Sequence, residues 1–306
     1  MGNSNFINKL LNHPLIEKLM RWSRLIKLPG FEGLTLHDIG YFFFVEIGRS
    51  AITTRASAVA FKFFLAIFPA IIFLFSLIPY LPVDDLHQQL LLEMKSFLPR
   101  EAYQTAVETI NDLVKNQHNG LLSFGFLITL YFSTNGINAM MEAFNQATHA
   151  TETRTFIKQR AISILLFIVQ SVLLLSASLL VIFSEVALDF MIAKGLLISG
   201  SLETVLLIFG KWGIVLLLLF VAISLLYYFG PVNSKKYELV SPGAILATVL
   251  SIVASVLFSY YVNNFGTYNK VYGSIGTLMV VMLWLEFNCL IILIGFDLNA
   301  KIYNRK

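Results

Sequence analysis

Residues 55–82, RASAVAFKFFLAIFPAIIFLFSLIPYLP, constrain the fold of this chain more than any other stretch. In a helix that rises 1.5 Å per residue, about 20 apolar residues cross a hydrocarbon core of about 30 Å. The stretch is therefore predicted to span a membrane. Two positions distinguish it from a plain anchor: Lys62 is predicted to lie inside the hydrocarbon, and Pro69 removes a backbone donor near mid-span and favours a kink.

The rest of the chain repeats this character. Of its 306 residues, 57% are hydrophobic and only 13% are charged, whereas a soluble domain has about 25% charged residues. With the first predicted span at about residues 56–80, five further apolar runs follow, at about residues 121–143, 161–183, 205–229, 242–262 and 275–296. The chain is predicted to be an all-α, polytopic membrane protein with six transmembrane helices and amphipathic interfacial helices.

Two segments outside the apolar runs are predicted to form the amphipathic helices. Residues 1–54 form a cytoplasmic or interfacial segment whose basic and apolar residues alternate in a pattern suited to an anionic leaflet. Within it, Thr35 and Asp38 have the spacing of a helix N-cap. Residues 83–119 are predicted to form extracytoplasmic amphipathic helices, and residues 55–306 as a whole form the membrane domain.

The distribution of Lys and Arg predicts the orientation. If the amino end is cytoplasmic, 15 of the 22 basic residues lie in cytoplasmic segments, 5 lie outside, and Lys62 and Lys211 lie within spans. Basic residues favour the cytoplasmic side. We therefore expect a multi-pass protein of the bacterial cytoplasmic membrane with both termini in the cytoplasm.

One face of the second predicted span is polar. Its residues are spaced by 4, 3, 4 and 3 positions, which confines them to a sector of roughly 80° on a helix; they are Tyr131, Asn135, Asn138, Glu142 and Asn145. Amides and a carboxylate are costly against lipid, so this polar stripe is a candidate substrate pathway that faces a wet cavity. The alternative is hydrogen bonding between packed helices, worth about 0.6 kcal/mol per contact.

Glu286 lies close to the middle of the sixth predicted span. A carboxylate at that depth is expected either to hold a proton or to find a cation. Lys62 is the candidate partner for an intramembrane charge pair. A protonated Glu286 in a packed interface and a wet cavity around Glu286 are the alternatives.

The residues of enzymatic and metal sites are not grouped in this sequence. The five histidines are scattered without an HExxH pair, there is a single cysteine, and neither a Walker loop nor a GxSxG elbow occurs. We expect no catalytic residues, no metal and no cofactor, and hence a protein that is not an enzyme and does not bind nucleic acid. Membrane lipids are the expected partners, and the sequence leaves the oligomeric state open.

Three ordered stretches resemble the YihY/BrkB-like family of bacterial inner-membrane proteins. They are residues 55–82 as quoted above, TNGINAMMEAFN at 134–145 followed by ETRTFIKQR at 152–160, and YYFGP, SPGA and YGSIGTLMVVMLWLEFNCLIILIGFDLNA between residues 227 and 300. The family positions that match are Arg55, Pro69, Gly136, Asn145, Arg154, Gly230, Pro231, Gly243, Tyr272, Gly273, Trp284 and Gly295. Lys62 and Glu286 depart from the family pattern.

The resemblance implies a six-span protein described as a transporter linked to envelope biogenesis or virulence. Some members have carried a ribonuclease label, which the residues of this chain do not favour. Helix breaks or hinges are expected at Pro69, Gly136, Pro231 and Gly273.

These features lead to competing hypotheses of function. The first is a transporter or flippase-like protein for a lipid or amphipathic envelope component, with the polar stripe as its pathway. The second is a non-transporting scaffold for envelope biogenesis. A membrane enzyme acting on lipid head groups is a third, but it would need a second catalytic group beside Glu142.

Overall fold

A computed structural model describes residues 24, 35–47, 50–77, 107, 119–195, 197–198, 200–233, 238–264 and 274–303. Within these residues the chain forms seven helices and no β-strand. They are α1 (Leu36–Ile47), α2 (Ser50–Leu77), α3 (Asn119–Ala147), α4 (Phe156–Ala193), α5 (Leu202–Phe229), α6 (Pro242–Asn264) and α7 (Ser274–Tyr303). The predicted amphipathic helices at 83–119, apart from residues 107 and 119, and most of the amino-terminal segment lie outside the described residues.

Short polar residues fix where several helices begin. The predicted N-cap of α1 is confirmed: the amide of Asp38 donates to Thr35 Oγ1 at 3.2 Å, and the amide of Thr35 donates to Asp38 Oδ2 at 3.0 Å. Thr155 and Ser201 cap α4 and α5 in the same way through their hydroxyls. These caps place each helix start a few residues before the apolar run that follows it.

Among the residues that the structure describes, five helices are long and apolar enough to cross a membrane, namely α2, α4, α5, α6 and α7. The sequence predicted six spans. The helix α3 has 29 residues, about 43 Å of length, but it is not among the five. The sixth predicted span is therefore not confirmed, and the amides and carboxylate of the polar stripe make α3 less apolar than the other long helices.

The long helices contact one another in an order that closes on itself: each packs against the next from α2 to α7, and α7 packs against α2. The core lies at the end of the bundle where α3 ends and α4 begins. The helix α4 shows this well, since its buried residues, Ser163 and Leu166, lie near its beginning although it has 38 residues. We call this the closed end and the opposite one the open end.

An aromatic cluster from three helices fills the closed end. Phe144 of α3 stacks on Phe296 of α7 at 4.3 Å between ring centroids, and Tyr227 of α5 meets both rings edge-on at 5.5 Å. All three side chains are fully buried. Burying such rings in contact contributes about 0.5–1.5 kcal/mol per pair beyond the area removed from solvent.

The helices α6 and α7 touch through their backbones at the closed end. A Cβ atom added to Gly243 would lie 1.9 Å from the carbonyl oxygen of Gly295. The side chain of Asn299 secures the crossing, because it accepts from the amide of Gly243 at 2.7 Å and donates to Ser241 Oγ at 2.8 Å. Glycine at these two positions therefore sets how closely the two helices approach.

Candidate functional site

The polar stripe of α3 is divided among three neighbours. At its upper part, toward the open end, Arg160 of α4 donates to Asn135 Oδ1 at 2.7 Å and to the carbonyl oxygen of Tyr131 at 3.3 Å. The same guanidinium lies 4.6 Å from the centre of the Tyr131 ring, a cation–π contact. Tyr131 and Asn135 thus hold α4 against α3.

At the other end of the stripe, Asn145 joins two connections at the closed end. Its amide nitrogen donates to Glu152 at 2.9 Å, and its oxygen accepts from the amide of Val232 at 2.9 Å. Arg154 reinforces this junction by bonding to Glu152 at 2.8 Å and to the carbonyl oxygen of Gly230 at 3.0 Å. Asn145 therefore links the α3–α4 connection to the end of α5.

Hydrogen bonds from Arg154 lower the pKa of Glu152 below its ordinary value. The Glu152 carboxylate is held in its charged form between an amide and a guanidinium, and the junction consequently depends on that charge.

The middle of the stripe is different. Asn138 donates to Glu142 at 3.3 Å and accepts from Ser163 at 3.3 Å. Glu142 then meets Lys62 of α2, with 3.9 Å between Nζ and Oε2. Both side chains of this pair remain about half exposed, at 44% for Lys62 and 48% for Glu142.

Lys62 and Glu142 line an open cleft of about 250 Å³ between α2 and α3. Arg55 lies in the same lining, as do Thr54 and Gln146. We call this the Lys62–Glu142 cleft. The sequence predicted a wet cavity along the whole stripe, and Glu142 is the one stripe residue among the residues that line this cleft.

The Lys62–Glu286 charge pair predicted from the sequence is not formed. The carboxylate of Glu286 instead accepts a hydrogen bond from the hydroxyl of Ser57, which joins α7 to α2. The sequence predicts how deep each charge lies in the membrane, but it does not predict how each helix is rotated about its axis. In the structure α2 is rotated so that Lys62 faces α3. The ion pair forms with Glu142, a residue that the sequence had assigned to the stripe.

The structure gives different outcomes for the four predicted helix breaks. The helices α2 and α3 continue through Pro69 and Gly136. Gly136 instead permits close packing, because an added Cβ would lie 2.6 Å from the ring of Phe63. Pro231 does follow the end of α5 at Phe229, and Gly273 lies outside the described residues.

Sequence reasoning missed several charged contacts. Arg55 joins three helices: it donates to the carbonyl oxygen of Ala143 at 2.9 Å and forms an ion pair with Asp297 at 3.2 Å. Lys211 of α5, which the sequence placed within a span without a partner, has a side chain that is only 8% exposed and lies 3.3 Å from Glu185 of α4. The signal available in sequence was a basic residue within an apolar run, but its partner could not be identified without the packing.

No group of three or more His, Cys, Asp or Glu side chains able to hold a metal ion occurs in the part of the chain that the structure describes. Cys289 is buried. The cleft presents the ammonium of Lys62, the carboxylate of Glu142 and the guanidinium of Arg55, groups that form charge-assisted hydrogen bonds with charged or zwitterionic molecules.

Comparison with known proteins matches the chain to one family model. The family model described as virulence factor BrkB matches residues 43–306. A ribonuclease-like protein, YfkH, of Bacillus subtilis is 33% identical over 257 residues, which cover 83% of this chain and 90% of that protein.

Two membrane proteins named UPF0761 are also similar. One from Haemophilus influenzae is 25% identical over 271 residues, covering 88% of this chain and 96% of the relative. One from Idiomarina loihiensis is 26% identical over 200 residues, covering 64% of this chain and 66% of the relative. No solved structure matches the chain significantly.

Proposed function

The chain belongs to the virulence factor BrkB family, and from that premise we propose that it binds and translocates a lipid or another amphipathic component of the bacterial cell envelope. We further propose that it resides in the cytoplasmic membrane with both termini in the cytoplasm. In this proposal α3 is a sixth span. Its support is that α3 runs antiparallel beside α2, since Arg55 meets Ala143 and Phe63 meets Gly136.

The observation that carries the proposal is the state of the Lys62–Glu142 pair. The ion pairs Arg154–Glu152 and Arg55–Asp297 have N–O distances of 2.8 and 3.2 Å. The Lys62–Glu142 pair is longer, at 3.9 Å, and both of its side chains are about half exposed in an open cleft. An ion pair exposed to water contributes only about 0–1 kcal/mol, and in this proposal water enters the cleft, so exchanging the pair for ligand contacts costs little.

The cleft suits the head group of an amphipathic molecule. Lys62 could bind a phosphate or carboxylate through a charge-assisted hydrogen bond, and Glu142 could bind an ammonium or hydroxyl group. The apolar surfaces of α2 would remain beside the hydrocarbon part of the same molecule. A small, wholly polar solute would gain nothing from that surface.

Passage through the closed end would require a change at Arg55. Its guanidinium ties α2 to α3 and α7 next to the cleft. Release of Ala143 and Asp297 would separate these helices at that end. We therefore propose that Arg55 holds the closed end shut until the cleft is occupied.

The test is lipid translocation by the purified protein in vesicles that carry a fluorescent anionic phospholipid. Lys62→Met is expected to lower the initial rate roughly tenfold or more, because a charge-assisted hydrogen bond contributes about 1.5–3 kcal/mol. The matched control is Lys158→Met, which removes an exposed lysine of α4 outside the cleft and should leave the rate unchanged. Equal rates for Lys62→Met and the wild type would overturn the role of the cleft.

A second candidate function is a non-transporting scaffold for envelope biogenesis. The observation that favours it is that Tyr131, Asn135 and Asn145 are already engaged by the protein's own contacts. A scaffold predicts that wild-type protein moves neither an anionic nor a zwitterionic lipid, and that removal of residues 1–28 abolishes function in cells. Those two results together would replace the transport proposal.

We also propose that the ribonuclease-like name of the Bacillus subtilis relative does not describe this chain. The support is the chemistry of the cleft, where a single carboxylate faces Lys62. Hydrolysis that depends on metal ions uses several ligating side chains around one centre. Incubation of the purified protein with labelled RNA and divalent cations tests this, and cleavage lost on Glu142→Gln would contradict it.

A further inference from the structure

An apolar groove of about 490 Å³ lies between α6 and α7, outside the Lys62–Glu142 cleft. Aromatic and branched side chains supply most of its lining: Leu257, Phe258, Tyr261, Leu283, Trp284 and Phe287. A second groove of about 330 Å³ shares Phe258 and Trp284 with it. We propose that this α6–α7 groove binds a single acyl chain of a membrane lipid.

The groove exists because the two helices meet at one end and separate toward the other. At the closed end, Gly243 and Gly295 bring the backbones into contact. The groove-lining residues lie further along, from Ala254 on α6 and before Asn288 on α7. Large side chains on both helices flank the resulting wedge without filling it.

The chemistry of the lining selects hydrocarbon. Of the residues that line the larger groove, Asn288 carries an amide, and that amide donates to the carbonyl oxygen of Trp284 at 2.8 Å within its own helix. The donor is thus satisfied without a ligand. Both helices are apolar enough to span a membrane, so lipid chains are the solvent around the groove.

The size of the groove favours a chain over a helix from a second copy of the protein. A helix about 10 Å wide fills about 80 Å² of cross-section. Over a span of about 30 Å such a helix has a volume of about 2,400 Å³, far more than the groove of about 490 Å³. A flexible methylene chain is thinner and can follow the wedge along its length.

The groove lies at a depth similar to that of the Lys62–Glu142 cleft. The hydrogen bond between Ser57 and Glu286 marks a common level on α2 and α7. From that level toward the open end, Lys62 lies about 7.5 Å along α2 and Trp284 about 3 Å along α7. The inference deepens the proposed function by naming the apolar half of the substrate. Binding of the chain stands by itself, and only the statement that the bound lipid is transported rests on the proposed function.

Trp284 is a natural reporter for the groove. The chain has three tryptophans, so the double variant W22F/W212F retains Trp284 alone. The matched control, W22F/W284F, retains Trp212, which is exposed on α5 outside the groove. Both proteins are placed in vesicles in which phosphatidylglycerol with brominated acyl chains replaces the ordinary lipid stepwise, and tryptophan quenching is measured.

Quenching at Trp212 should follow the lipids that surround the protein. With all of the lipid brominated, quenching at Trp284 should be stronger than at Trp212, because a chain held in the groove keeps its bromine atoms against the indole ring. Ala254→Phe, which fills the groove, should bring the Trp284 curve onto the Trp212 curve. Val253→Phe, on the exposed neighbouring position, should not.

Superimposed curves for Trp284 and Trp212 would overturn the proposal. Weak quenching of Trp284 together with chemical cross-linking between copies would assign the groove to a dimer and would overturn it too. The quenching experiment does not measure transport. If the protein passes this test but moves no lipid in vesicles, the acyl-chain site stands and only the transport proposal fails.

Discussion

Replacing Gly243 by alanine tests the packing that closes one end of the bundle. The added Cβ would lie 1.9 Å from the carbonyl oxygen of Gly295 and 2.6 Å from Asn299 Oδ1. A carbon and an oxygen in close contact are about 3.3 Å apart. The helices α6 and α7 must therefore separate by about 1.4 Å at this point.

The cost follows from what that separation disrupts. Overpacking of a tight contact costs about 1–3 kcal/mol. Loss of the buried hydrogen bond from the Gly243 amide to Asn299 costs about 1–3 kcal/mol more. Alanine returns up to about 1 kcal/mol through its better helix propensity. We expect Gly243→Ala to lower the free energy of unfolding by about 1–5 kcal/mol.

The assay is equilibrium unfolding in mixed micelles of mild detergent and sodium dodecyl sulfate, followed by circular dichroism. Gly210→Ala is the matched control, since no atom lies within 4 Å of its added Cβ, and it should be neutral or slightly stabilising. Gly136→Ala should be intermediate, because the ring of Phe63 that it meets is a side chain that can turn aside. Equal stability of Gly243→Ala and Gly210→Ala would refute the reasoning.

Two further predictions concern charge. Glu185→Gln should destabilise the protein by about 1–3 kcal/mol, because it leaves the buried ammonium of Lys211 without its carboxylate. Lys211→Met should cost less, since the Glu185 that it leaves behind is exposed. The same micelle titration measures both variants, and the reverse order would contradict the account. Because the folded protein lowers the pKa of Glu152, the carboxylate adds stability above its unfolded pKa of about 4.3 and loses it as the pH falls through the folded value. The stability difference between wild type and Glu152→Gln should therefore shrink on acidification from about pH 6, and a constant difference would count against it.

The sequence was informative wherever composition along the chain decides the outcome. Apolar runs located the six long helices within a few residues at most ends, and the Thr35–Asp38 spacing identified the cap of α1. Spacing alone also placed Asn138 and Glu142 on one face. Spacing could not show that Tyr131 and Asn145 contact different neighbours from these two. The periodicity of a helix says which residues share a face, but not which neighbour that face meets.

The amino-acid sequence by itself determined that this chain is a bundle of long membrane helices, because the cost of placing polar groups in hydrocarbon depends on residue type and run length. Tertiary structure alone decided which partner each charged side chain meets: Lys62 meets Glu142, Glu286 meets the hydroxyl of Ser57, and Arg55 meets Asp297. Those pairings depend on how each helix is rotated about its axis. That rotation is set by backbone contacts such as Gly243 on Gly295, which join residues far apart in the chain.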